Sequence, residues 1–249
     1  MKRNTCLQPF LLALSFLTRL GPAVAADKEA LSRSVIYYPL VGGLLGCLLT
    51  LPLAFCLTGL PALLQAWLYV GLSLWLTRAL HLDGLADILD ALGSGKHGRE
   101  FRAVLKDSRT GVFGATGICM ALCGQMLCVY LLLQQSLYAP LFAAPLLARC
   151  LPIFFTRLTH SSPEASLGAI LATAPRQSAL ALALALVVLV GPLCMGWAAF
   201  WASLAGVCAL LFFLYRISAR EGGYNGDFFG FLISAGELVF LAACAAQGH

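Results

Sequence analysis

Seven stretches of roughly twenty residues carry almost no charge, and that leaves few folds open to the chain. They cover about 35–57, 61–80, 111–133, 138–158, 178–195, 197–215 and 228–246. In hydrocarbon every backbone N–H and C=O must be satisfied within the segment, so such runs cross a bilayer as helices. The chain is 60% hydrophobic, where a soluble domain is about 45–50% apolar. The expectation is an all-α, polytopic transmembrane helical bundle of about seven spans, built as a single domain over residues 1–249. A shorter apolar run at 7–20 predicts an N-terminal interfacial helix, because it is too short to span. With Lys2, Arg3 and Ala23-Val24-Ala25-Ala26 it resembles a cleavable signal peptide, but Arg19 stands between the apolar run and that site, which favours a retained helix.

The charges fall on alternate connections. The links at 58–61, 134–137 and 194–197 contain none, and only Arg149 and Glu237 lie well inside spans. Loops rich in Lys and Arg stay cytoplasmic. The N-terminus is therefore expected inside, the C-terminus outside, and all charged motifs on the cytoplasmic face. If 7–20 also spans, only the N-terminus changes side. The net charge of +5 fits membrane orientation and anionic ligands rather than nucleic-acid binding. Ten cysteines lie almost all in apolar runs without a Cys-x-x-Cys pair, so they read as small apolar residues.

The sharpest local signal is His81-Leu82-Asp83-Gly84-Leu85-Ala86-Asp87-Ile88-Leu89-Asp90. On a helix Asp83, Asp87 and Asp90 share one face within roughly 60°. Along the axis they are spaced by ~6 Å and ~4.5 Å. Three carboxylates so placed repel one another, and a divalent cation of the Mg²⁺ type relieves that while leaving coordination positions for a phosphate. Asp83, Asp87 and Asp90 are the candidate metal ligands. His81 falls nearly opposite them and reads as a helix-start or packing residue.

A basic piece follows. Arg99, Arg102 and Lys106 lie at i, i+3 and i+7, and Asp107 and Arg109 abut a Gly-framed turn at Thr110-Gly111-Val112-Phe113-Gly114. Guanidinium and ammonium groups beside metal carboxylates suit transfer at a diphosphate or phosphodiester. Asp107 and Arg109 are the candidate catalytic residues, and Arg102, Lys106 and Arg109 the candidate phosphate contacts. Glu221-Gly222-Gly223-Tyr224-Asn225-Gly226-Asp227 leads into the last span, which carries Ser234 and Glu237. Asp227 is either a helix N-cap or, with Glu237, a substrate contact. Glu237 needs an intramembrane partner, for which Arg149 and Arg157 are the candidates. His160 and Glu164 sit in no readable motif.

At these constellations the chain resembles the cobalamin synthase family, the adenosylcobinamide-GDP ribazoletransferases. The matching stretches are Phe16-Leu17-Thr18-Arg19-Leu20, Tyr38-Pro39-Leu40-Val41-Gly42, the His81 to Asp87 string with Asp90, Asp107-Ser108-Arg109 with Gly111, Phe113 and Gly114, and Gly226-Asp227 with Gly230 and Glu237-Leu238. The resemblance implies a Mg²⁺-dependent transferase of cobalamin biosynthesis, multi-pass in the cytoplasmic (inner) membrane. It implies a corrinoid nucleotide substrate, adenosylcobinamide-GDP, and α-ribazole or its 5′-phosphate as acceptor. The products are adenosylcobalamin (or its 5′-phosphate) and GMP. Membrane lipid is the expected surround, and the oligomeric state stays open. Ser234 stands where the family usually has Glu, Phe228 where it has Thr, and Ala91 where it often has Gly.

Two other readings compete. A CDP-alcohol phosphotransferase would carry Asp at the position of Leu80. An ion-coupled carrier would place polar groups mid-membrane in several spans. The charge segregation makes its own prediction: a phosphatase reporter, which works only outside the membrane, is active when fused after position 247 and inactive when fused in the 94–98 loop.

Overall fold

The computed structural model describes residues 7–22, 28–162 and 176–247. The elements in order are α1 (Leu7–Leu17), α2 (Lys28–Ser34), a 3-10 turn (Val35–Tyr37), α3 (Tyr38–Phe55), α4 (Ala62–Thr77) and α5 (Leu80–Gly93). They continue as α6 (Arg99–Leu105), α7 (Val112–Gln134), α8 (Ala139–Ala148), α9 (Leu151–Leu158), α10 (Arg176–Met195), α11 (Trp197–Glu221) and α12 (Gly226–Ala245). Glu164 and the Ala23 to Ala26 site of the signal-peptide reading lie outside the described residues.

Among the described residues six helical stretches are long and apolar enough to cross a membrane: Glu29–Phe55, Val112–Gln134, Ala139–Leu158, Gln177–Met195, Trp197–Glu221 and Gly226–Ala245. This is the expected polytopic bundle. The second expected span is shorter than 61–80: α4 has 16 residues, ~24 Å of helix against a hydrocarbon core of ~30 Å. It stops because Arg78 and Ala79 both turn left-handed, at φ 57° and 53°. Such a pair is costly for residues with a Cβ and persists only where its surroundings hold it. They do: Arg78 Nη2 donates to the carbonyl oxygens of Ser15 and Thr18 at the end of α1, and Arg19 N–H donates to Leu76 O at 2.8 Å. The short α1 therefore docks on the end of α4, and each supplies partners for the other's open backbone groups.

Span four is broken at Arg149 and Cys150. Pro152 lacks the N–H that would bond the Ala148 carbonyl, and its ring crowds that same group. At the centre is α12, which packs on α5, α7, α8 and α11 and buries two-thirds of its length, whereas α10 buries only 17% and turns Leu184, Val188, Leu189 and Leu193 outward. The latter is a lipid-facing pattern.

Two glycine contacts set the spacing. The Gly42-Gly43-x-x-Gly46 cluster meets α8 by backbone: a Cβ on Gly42 would overlap the Pro145 carbonyl oxygen, and one on Gly46 the Phe142 carbonyl oxygen. Small residues are what let membrane helices approach this closely. Gly46→Val should therefore cost about 1–3 kcal/mol of stability, read as a lowered melting temperature in detergent, while Gly59→Ala, with open space around it, leaves melting unchanged.

Candidate active site

The acidic face is carried by α5. Its buried side is His81, Gly84, Leu85, Ala86, Ile88 and Ala91, which turns Asp83 to the exterior and leaves Asp87 and Asp90 half-buried. The second crossing of small residues lies directly behind it. A Cβ added to Gly84 would come within 2.8 Å of Asp227 O and 3.1 Å of Gly230 Cα. Backbone thus rests on backbone where α5 crosses the start of α12. That contact delivers a fourth carboxylate, Asp227, to the three already on α5.

The four do not play equal parts. Burial pushes the Asp87 carboxyl up to about 7, and the negative charges of Asp227, Asp83 and Asp90 push in the same direction. Asp83 and Asp227 repel each other as well. Asp227 does not cap α12: it lies in the first turn, Asn225 occupies the cap position, and Asn225 Nδ2 donates to Asp227 Oδ2 at 2.6 Å. Asp90 has a separate task. Its Oδ2 accepts from Gly111 N–H at 2.6 Å and its Oδ1 from Gly114 N–H at 2.7 Å. Those amides open α7, so a carboxylate there also meets the positive end of the helix dipole. Of the trio expected from spacing, Asp90 ties α5 to α7, and Asp227 brings a further carboxylate near Asp87 and Asp83.

The basic residues separate into two groups. Arg102 Nη1 donates to Glu221 O at 2.6 Å, which satisfies an open carbonyl at the end of α11. Glu221 is buried at a helix C-terminus, where the dipole disfavours a negative charge, and it is compensated locally. Its carboxylate accepts from Gly98 N–H at 2.6 Å and Arg220 Nε at 2.6 Å, and lies 3.1 Å from His97 Nδ1. Arg102 and Lys106 line a small cleft with Phe101, Glu221, Asn225 and Phe228, flanking Asp227. Arg109 lies outside that cleft. It chelates Asp107, through Nε at 3.0 Å and Nη2 at 2.7 Å, on an exposed turn that Asp90 anchors at Gly111. The guanidinium so bonded holds the Asp107 carboxyl below the usual carboxylate range, which makes Asp107 a poor proton acceptor.

Glu237 stands apart from all of these. It pairs with Arg149, one of the two partners expected for it, and Gln125 Nε2 lies 3.4 Å away. Their place inside apolar spans had already set this pair apart from the acidic face. Sequence reasoning gave Glu221 no role, although an acidic residue ending a long apolar helix is a signal that partners must exist.

In donor chemistry the acidic face suits a hard cation, since Asp83, Asp87 and Asp227 offer only carboxylate oxygen. Among the described residues no three His, Cys, Asp or Glu side chains have closed to a metal-holding group. Asp83 is exposed and Asp87 half-buried, so both have room to turn toward a shared ion.

Asp87 predicts a pH dependence. The native state keeps the Asp87 proton up to about 7, whereas an unfolded carboxyl loses it near 4. Native protein binds more protons across that interval, so stability falls as pH rises through it. Melting of chelator-treated protein should show this slope, and Asp87→Asn should flatten it. Asp90→Ala, which strands two amides, should cost about 1–3 kcal/mol at neutral pH.

The family model described as cobalamin-5-phosphate synthase matches residues 9–245. A protein of Stutzerimonas stutzeri named adenosylcobinamide-GDP ribazoletransferase is 39% identical, covering 96% of this chain and 98% of its own. Proteins of the same name from Pseudomonas aeruginosa and Nitratidesulfovibrio vulgaris are 37% and 36% identical, again over 96% of this chain and 98% of theirs. No solved structure matches. A match of this extent, from α1 through α12, makes the chain a member of the cobalamin-5-phosphate synthase family.

Proposed function

We propose that this chain is an adenosylcobinamide-GDP ribazoletransferase working at the cytoplasmic face of the inner membrane, with Mg²⁺ as its cofactor. The activity rests on the family and on the names its relatives carry. The observation that supports Mg²⁺ is the repulsion focused on Asp87 by Asp227, Asp83 and Asp90. Carboxylates held this way gain most from a divalent cation and least from water.

Asp83, Asp87 and Asp227 would hold the ion, and bound there it supplies Lewis-acid polarisation of the diphosphate in adenosylcobinamide-GDP. The protein's own groups do the rest. Arg102 and Lys106, in the cleft they share with Asn225, whose amide bonds Asp227, offer positive charge to the phosphates, with Arg109 on the neighbouring turn. A ribazole hydroxyl attacks the phosphorus next to the cobinamide arm. A new P–O bond forms, the bond to the GMP phosphate breaks, and GMP leaves with that oxygen. The hydroxyl proton passes to a carboxylate of the acidic face rather than to Asp107, which Arg109 keeps ionised. Glu237, expected from sequence to touch substrate, acts in this reading through its pairing with Arg149.

The loops that carry these groups meet at one end of the bundle. Glu221 holds the 97–98 segment, Asp90 holds Gly111, and Tyr224 exchanges backbone bonds with His160 and Ser162. A one-sided charged surface fits water-soluble substrates arriving from one compartment.

The test is GMP release by purified protein given adenosylcobinamide-GDP and α-ribazole. Release should require Mg²⁺, and Asp87→Asn should lower it by about a thousandfold with normal membrane insertion. Full release by Asp87→Asn, or release undiminished by chelator, would remove the metal assignment.

A further inference from the structure

The joint between α1 and α4 carries two arginines that the proposed chemistry does not use. Each lies just past the end of one helix and caps the other. Arg19 Nε donates to Trp75 O at 2.5 Å, in the last turn of α4. Arg78 Nη2 donates to Ser15 O and, at 3.0 Å, to Thr18 O, around the end of α1. The Arg19 guanidinium also lies over the Trp75 ring, with Cζ 5.4 Å from its centre. These bonds occupy one nitrogen of each guanidinium, and both residues are exposed, so each keeps N–H donors to spare.

The charge at this joint is not balanced. Arg33, Arg109, Arg149 and Arg220 each pair with a carboxylate. Among the described residues Arg19 and Arg78 meet only carbonyl oxygens. A helix C-terminus carries roughly half a negative charge. Two such ends offset about one of the two positive charges, and about one is left over. The surplus sits at a membrane border, because α4 ends here on the side of the bundle to which the charges segregate. Trp75, 57% exposed, and Leu72 and Leu20 form an apolar flank beside it. Trp at the end of a span, next to a cation, is the pattern of an interfacial anchor.

We infer that the Arg19–Arg78 joint binds the phosphodiester group of an anionic phospholipid. Guanidinium groups meet phosphate oxygens through charge-assisted bonds, often two at a time. An anionic lipid supplies both halves of what the joint lacks: one net negative charge for the surplus, and hydrocarbon for the flank of Trp75, Leu72 and Leu20. A zwitterionic lipid brings its phosphate with a cation of its own. A soluble phosphate leaves the apolar flank bare. The site stands whether or not the chain has the proposed activity, since neither arginine belongs to the acidic face or its cleft.

Trp75 is a built-in reporter. Replacing Trp67, Trp197 and Trp201 by Phe leaves it as the single tryptophan. The full chain is reconstituted in discs of phosphatidylcholine with a minor share of phosphatidylglycerol. Bromine, which quenches indole at close range, is carried on the acyl chains of one lipid or the other. At equal mole fraction, brominated phosphatidylglycerol should reach Trp75 with about fivefold higher relative affinity than brominated phosphatidylcholine. Arg19→Gln with Arg78→Gln, each still able to donate to the carbonyl it caps, should bring that ratio to about one. Lys96→Gln with Arg99→Gln removes as much charge from exposed positions on the same side and should leave the ratio unchanged. Equal quenching by the two lipids in protein that keeps both arginines, or equal loss in the two variant pairs, would overturn the site. Phosphate ions exchanged for chloride at constant ionic strength should not relieve the quenching; relief would make the ligand a soluble phosphate and overturn the lipid assignment. Should Arg78→Gln undo the left-handed corner and unfold the protein, Arg19→Gln alone should lower the ratio about twofold, and an unchanged ratio overturns the site.

Discussion

Three carboxylates beside the contact between α5 and α12, Asp83, Asp87 and Asp227, are the constraint around which the rest of the molecule is arranged. They are kept together by the absence of two side chains: Gly84 and Gly230 let backbone touch backbone, and Asp227 comes with that contact. Electrostatics alone would drive the helices apart. The packing of α12 against α5, α7, α8 and α11 supplies the opposing force, since each apolar side chain buried there contributes about 1.5–3 kcal/mol when it leaves water, and in lipid close van der Waals packing takes over that part. Burial first and the neighbouring carboxylates second therefore disfavour a charged Asp87, and the proposed reading places a cation there.

The loops make sense as accessories to that centre. Asp90 uses both its oxygens to close α5 onto the start of α7. Glu221, placed where the dipole of α11 opposes it, fastens the start of α6. Arg102 returns the favour by meeting the Glu221 carbonyl. Asp90 and Arg102 have a binding look in sequence, and in the structure each makes a joint as well. The joints leave Arg102 and Lys106 along one cleft with Asn225 and Phe228, and they set Arg109 with Asp107 on a separate exposed turn.

The bundle and the helical face of Asp83, Asp87 and Asp90 were legible because both are local: an apolar run and a 3.6-residue period need no knowledge of partners. The partition of the acidic residues was not legible. Asp90 and Asp87 are three residues apart and indistinguishable by pattern, and only the amides of Gly111 and Gly114, folded back from more than twenty residues away, separate them. Asp227 looked like a helix cap because it precedes an apolar run, and its place beside Asp83 depends on a crossing that two isolated glycines hardly advertise. The end of α4 was misjudged for a related reason. Arg78 and Ala79 have no turn-forming signature, and their left-handed conformation is held from outside by α1.

The claim on which all of this turns is that Asp227 and the α5 aspartates form one cation site. Mn²⁺ titration of the purified protein, followed by electron paramagnetic resonance, tests it most directly. The account predicts that Asp227→Asn weakens binding by about tenfold or more, whereas Glu100→Gln, on the exposed side of α6, binds as wild type does. Mn²⁺ binding that is equally tight in Asp227→Asn and wild type would contradict it.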